Sequence, residues 1–206
     1  MSATVRRAIV FVDWDTARRV LPGERIPIND EKRAARQIER VFESLRRVVA
    51  DHLTTVDPRA LFRVRWRLYH GWYAGKTKTP DYRAVERYLR DATSATINRV
   101  SFGVDVAVAS SLLSAGKRMP LYDSLRTLEE PDGEKSVRQK MVDTGLTCDL
   151  LYSARSASGD LHLIIGDDDD LLPGMFMAES WGVRPHMYRL GDGSRHLNTK
   201  GLISII

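Results

Sequence analysis

Four consecutive aspartates, Asp167 to Asp170, follow the apolar run LHLII at residues 161–165 and give way at once to Leu171, Leu172 and Pro173. Carboxylates this close repel one another and titrate as a coupled set, so the run needs something to offset its charge. The residues alone allow two arrangements. Either the run is an acidic turn in water, with one aspartate capping a helix that starts near Pro173, or its carboxylates hold a hard divalent cation, which takes oxygen ligands. A further carboxylate, Asp13, closes another apolar run, AIVFV at residues 8–12. Asp143 stands at the start of a segment with roughly helical spacing, as ligand or as N-cap. Asp149 falls about 240° around a helix from Asp143 and belongs to an outer shell.

The elements that must position these groups can be read from periodicity. AIVFV is short, β-branched and aromatic without polar alternation, the pattern of a central strand covered on both faces. After the loop PGERIPIND, Asn29 or Asp30 can cap a helix in which Ile38, Val41, Phe42, Leu45, Val48 and Val49 recur at helical spacing. RVRWRLYHGWY, residues 63–73, alternates Val64, Trp66 and Leu68 with Arg63, Arg65 and Arg67, a strand with one wet face. Thr79 and Pro80 open a helix that carries Arg83, Arg87 and Arg90 on one side. A strand from residue 100, a strand or hairpin over 114–137 with the acidic turn EEPDGE, and a helix through QKMVDTGLTCDLLYSARS come next. LHLII is another buried strand, Pro173 to Trp181 a helix stopped by Gly182, and RPHMYRL the last strand. Strands alternating with helices predict an α/β fold with a mainly parallel sheet. In such sheets ligands bind outside the carboxyl ends of the strands, near the switch in strand order. AIVFV and LHLII both deliver aspartates to that edge.

Composition narrows the class. The 206 residues contain no Pro/Gly/Ser-rich linker and predict a single domain over 1–206. Lys and Arg number 32 against 27 Asp and Glu, a basic surface around an acidic pocket that suits a polyanion brought to a metal. The single cysteine, Cys148, rules out an internal disulfide or a thiolate zinc cage and reads as a small buried residue. AIVFV is too short for a signal-peptide core or a membrane span, so a cytoplasmic location without membrane association is expected. His52, His70, His162, His186 and His196 show no metal-ligand spacing, and His162 reads as a core residue.

Three motifs in order carry a family resemblance. VFVDWDTA resembles the first motif of the NYN family of PIN-like nucleases, QKMVDTGLTCDLLYSA the second, and GDDDDLLPG the third. The resemblance implies a three-layer, Rossmann-like (PIN-like) fold with a mainly parallel sheet flanked by helices. It places catalytic and metal-binding roles on Asp13, Asp143, Asp168 and Asp170, with Mg²⁺ or Mn²⁺ as cofactor and hydrolysis of RNA phosphodiester bonds as the reaction, DNA being the lesser substrate. Thr16 stands where the family often has asparagine, and Asp167 and Asp169 are charges the motif does not require. Asp105, in FGVD, imitates the second motif without its lysine. Lys140, Arg65, Arg67, Lys76 and Lys78 are the candidate phosphate contacts. Two other readings remain at this level: an RNA-binding module without catalysis, and a haloacid-dehalogenase-like phosphatase with Asp13 as nucleophile and Asp15 as acid/base. Protein partners and oligomeric state, a homo-oligomer included, are left open.

Overall fold

The first apolar run serves two cores at once. It belongs to strand β1 (Val5–Asp13), from which Ala8, Val10 and Val12 enter one hydrophobic cluster while Ile9 and Phe11 enter another. The computed structural model describes residues 4–21, 30–118, 120–129, 133–190 and 201–205. In it a short helix α1 (Trp14–Ala17) follows β1 directly, and a long helix α2 (Glu31–Val56) leads to strand β2 (Leu61–Tyr69). The small hairpin β3 (Tyr73–Ala74) and β4 (Thr77–Lys78) precedes helix α3 (Pro80–Asp91), strand β5 (Ala95–Ile97) and strand β6 (Val100–Val108). A second hairpin, β7 (Leu125–Glu129) and β8 (Lys135–Gln139), runs into helix α4 (Val142–Ser156). Strand β9 (Leu161–Ile165), helix α5 (Leu172–Ser180), strand β10 (His186–Arg189) and strand β11 (Ile203–Ile205) complete the described chain.

The central sheet has seven strands in the order β11-β10-β9-β1-β2-β6-β5, all parallel except the edge strand β5. The fold is therefore α/β with a mostly parallel central sheet. Residues of α2 and α3 cover one face together with Trp14, Phe42 and Trp66, and residues of α4 and α5 cover the other around Phe11 and Ile164. Burying each such apolar side chain contributes roughly 1.5–3 kcal/mol, so the two clusters fix the positions of α2 to α5. Among the described residues no helix is long and apolar enough to cross a membrane.

The helix starts follow the capping residues read from the sequence. Asp30 accepts from the Arg33 amide at 3.0 Å, and Thr79 accepts from the Tyr82 amide at 3.3 Å ahead of Pro80. The alternative cap Asn29 lies outside the described residues. Other expectations need correction. The strand expected over 63–73 ends at Tyr69, because its neighbours end there: Asp13 is paired with Tyr69 and Val108 with Leu68. RPHMYRL is not the last strand, since β11 pairs with β10 beyond it; three residues are too short to carry a period. The expected hairpin is present as β7–β8, while residues 130–132 of its acidic turn lie outside the described residues. Cys148 is exposed, because α4 turns Leu146, Asp149, Leu150 and Ser153 inward and Cys148 away.

Candidate active site

The order of strands reverses between β1 and β9, which are adjacent and parallel with Val12 opposite Ile165. Asp13 ends β1, and the aspartate run begins one glycine after β9, so both acids emerge at the carboxyl edge where such a reversal opens a crevice. Gly166 lets Leu171 pack closely there: a Cβ on it would meet Leu171 Cδ1 at 2.8 Å, so that side chain would have to shift. Helix α4 starts at the same edge. Its N-cap, Met141, has the left-handed conformation φ 65°, which costs a non-glycine residue energy and turns the chain sharply from β8 into the helix. Asp143 is thereby placed in the first turn and not at the cap.

The four aspartates of the run divide by position. Asp167 accepts from Arg19 Nη2 at 3.3 Å, and Asp169 accepts from Arg189 Nη2 at 2.5 Å. The two charges that the motif does not require are thus matched by arginines. Asp168 accepts from the Asp170 amide at 3.0 Å and caps the turn that leads into α5. Asp168 and Asp170 have no arginine or lysine partner among the described residues. Their charges fall on Asp143, whose carboxyl is pushed up to about 6, first by burial, then by the charges of Asp13 and Asp168, and by Asp170 to a smaller degree.

Asp13 is raised from the usual carboxylate range as well, mainly by burial and further by the charge of Asp15. Hydrogen bonds restrain that rise: Thr16 Oγ1 donates to Asp13 Oδ2 at 2.6 Å, and the amides of Asp15 and Thr16 donate at 3.0 and 3.3 Å. Thr16 therefore orients the Asp13 carboxylate.

A shell invisible to motif matching surrounds these groups. Gln139 at the end of β8 donates to Asp15 Oδ2 and accepts from the Gly71 amide at 2.8 Å, which ties the hairpin to the site. Arg18 pairs with Asp15 and lies 3.7 Å from Asp81, while buried His70 stands 3.7 Å from Asp15 and 3.6 Å from Asp81. Asp15 is engaged by Arg18 and Gln139 within the protein, a geometry that weighs against the phosphatase arrangement. The sequence hint for Gln139 was its place just ahead of Lys140; for Arg18, His70 and Asp81 there was none.

The candidate phosphate contacts scatter. Lys140 is exposed beside the start of α4, without an ion-pair partner among the described residues, and suits a phosphate near Asp143. Lys76 is exposed at the turn of the β3–β4 hairpin, which Gly75 makes with φ 60°. Lys78 is engaged internally, 2.7 Å from Glu86 and 4.4 Å from the centre of the Tyr82 ring. Arg65 lies part-way along β2, in a cavity of about 310 Å³ with Ile9, Asp105 and Leu113, rather than at the carboxyl edge. Arg67 is a correction. It is buried, donating from Nε to Asp149 Oδ2 at 2.7 Å and to the Tyr69 hydroxyl at 2.9 Å, because α4 covers β2 at that level. Asp149, fully buried, also accepts from Tyr69 at 2.8 Å and from the Leu113 amide at 2.6 Å. It is a structural anchor, not an outer ligand. Asp105 sits within β6, paired with Arg63 at 2.7 Å and away from the carboxyl edge. His162 is buried and shares a hydrogen bond of 2.9 Å with Ser153, as a core residue does, though its Nδ1 finds no partner. His196 lies outside the described residues.

Among the described residues no group of three or more His, Cys, Asp or Glu side chains is arranged to hold a metal ion. The donor chemistry nonetheless fits a hard divalent cation: all the groups are carboxylates, their charges overlap at Asp143, and Mg²⁺ keeps several waters and binds through one or two carboxylates. The raised Asp143 carboxyl gives a test with a definite sign. A carboxyl held higher in the folded state than in the unfolded chain takes up protons on folding, so its contribution to stability is full below pH 4 and is lost as pH rises toward about 6. Carbon-detected titration of Asp143 is expected to show a midpoint near 6 without metal and a lower one in saturating Mg²⁺. A midpoint in the ordinary range in both conditions would contradict the crowding of charge.

No family model, curated protein or solved structure matches the chain.

Proposed function

We infer that the chain is a metal-dependent nuclease, an endoribonuclease that hydrolyses RNA phosphodiester bonds, and that its α/β fold is the three-layer, PIN-like kind. The observation that carries the reading is the negative charge on Asp143: three further carboxylates from two other elements act on it at the reversal of strand order. Like charges gathered without matching cations raise the energy of the folded state, and binding a cation or a proton relieves it.

Asp13, Asp143, Asp168 and Asp170 are the groups that would hold Mg²⁺ or Mn²⁺. When bound, such an ion activates water for in-line attack and stabilises charge on the leaving oxygen. The chain's own residues do the rest. Thr16 and two backbone amides hold Asp13 in one orientation. Arg19 and Arg189 neutralise Asp167 and Asp169, so the run's remaining charge is directed to the site. Lys140, on the strand-to-helix turn beside Asp143, supplies a positive group for the substrate phosphate. The net charge of +5 favours the approach of a polyanion.

Purified protein is expected to cleave labelled single-stranded RNA in Mg²⁺ or Mn²⁺ and to stop in EDTA. Salt-sensitive RNA binding without product in either metal would instead establish the binding module. The exposed Arg33, Arg36, Arg40 and Arg47 of α2 would serve that alternative equally well.

A further inference from the structure

Helix α5 reads LPGMFMAES, apolar on nearly every side, the composition of a helix covered all round. Its inner face is covered, with Leu172, Met175 and Ala178 buried. Its outer face is not: Phe176, Met177 and the following Trp181 are 45%, 48% and 43% exposed. Near the C-terminal end of α4, Tyr152 is 44% exposed. Tyr152 and Trp181 line an open cavity of about 400 Å³ with Leu151, Arg155 and Ser156, and the Arg155 guanidinium lies 5.5 Å from the centre of the Trp181 ring.

We propose that Tyr152, Arg155 and Trp181 form a stacking subsite for an unpaired base of RNA. Two aromatic faces beside a guanidinium are what base stacking and the neighbouring phosphate require. The cavity lining carries one cation and no anion, complementary to a nucleotide. Area speaks against a protein occupant. Four large side chains, each somewhat under half exposed, offer ~300–450 Å² of their surface, about half of the ~800 Å² per partner that a stable interface buries.

Placement connects the subsite to the aspartates. Asp143 lies in the first turn of α4 and Asp170 just ahead of α5, whereas Tyr152 and Trp181 lie toward the other ends of the same two helices. The rise from Asp143 to Tyr152 is roughly 14 Å and the two lie about 180° apart around α4, so a strand that reaches both passes around the helix. The subsite takes its RNA class from the nuclease reading, and it favours single strands, since a paired base enters only at the cost of unpairing and unstacking.

Trp181 also supplies the test, because Trp14, Trp66 and Trp72 are buried at 0%, 2% and 1% exposure. Tryptophan emission is followed while a short single-stranded RNA, or its abasic counterpart, is added to the full chain in EDTA, which prevents metal-dependent cleavage. Saturable quenching by the base-bearing RNA alone is expected. Tyr152→Ala and Arg155→Ala should each weaken it roughly 5- to 150-fold, the cost of losing one stacked base, and Trp181→Ala should weaken binding of labelled RNA by a similar factor. Equal affinity in all variants, or equal binding of abasic RNA, overturns the subsite. Emission that changes with protein concentration in the absence of RNA also overturns it and gives the surface to a second copy. The two readings fail separately: cleavage without quenching removes the subsite alone, and quenching without cleavage in Mg²⁺ or Mn²⁺ removes the nuclease alone.

Discussion

Asp168→Asn is expected to reduce RNA cleavage more than the roughly 10- to 100-fold that loss of an outer-shell partner gives, while the variant melts at or above the wild-type temperature. Asparagine keeps the side-chain oxygen that accepts from the Asp170 amide, so the turn into α5 stays capped. What disappears is one of the charges that act on Asp143. Removing it relieves repulsion in the folded protein and, on the proposed nuclease reading, removes a ligand of the ion, so activity and stability are expected to move in opposite directions. Asp169→Asn is the matched control. It breaks the pair with Arg189, whose side chain is 9% exposed, and should lower stability with a smaller effect on cleavage. Assays of cleavage and thermal melting on the two variants decide the matter. Equal losses of cleavage from both would show that the run acts as undivided charge, and retained cleavage in Asp168→Asn would remove it from the site.

Asp149→Ala has the largest expected effect on stability, a loss of about 3–5 kcal/mol. Asp149 is completely buried, and its two oxygens serve Arg67, Tyr69 and the Leu113 amide. Truncation strands the Arg67 guanidinium in a place where its side chain is only 11% exposed. For a chain of this size such a loss lowers the melting temperature by roughly 6–20 °C. Arg67→Met combined with Asp149→Leu should cost much less than the sum of the single changes, because no unpaired charge is left behind. Chemical denaturation of Arg67→Met, Asp149→Leu and the double variant measures the coupling. Additive losses would mean that the pair is not coupled in the folded protein. Since α4 also carries Asp143, the single variants should lose activity through misplacement of the helix, and the double variant should regain part of it.

Fold class was legible in the sequence because buried parallel strands leave a strong local signature. AIVFV and LHLII are short, mostly apolar and followed within two residues by aspartate, and that is enough to identify two covered strands that lead to carboxylates. Helix starts were equally local: Asp30 and Thr79 cap through amides two or three residues ahead, so the chain need not be folded to predict them. Periodicity also marks the element ends at which Asp13, Asp143 and the run Asp167 to Asp170 lie, whereas singling out Asp168 within the run came from the family resemblance.

Tertiary structure decided what those residues meet. Alternation in β2 put Arg63, Arg65 and Arg67 on one side, but whether that side faces water changes along the strand; α4 covers it at Arg67 and not at Arg65. The same limit applies to Asp149, Cys148 and the aspartate run. Spacing fixes a residue's direction from its own element, whereas its charge partner comes from elsewhere in the chain: Arg189 for Asp169, Arg19 for Asp167, Arg67 for Asp149. Sequence therefore determined which groups reach the carboxyl edge of the sheet. Packing across distant segments determined which of their charges are cancelled and which are left without a cationic partner among the described residues, because ion pairing depends on distance in space and not along the chain.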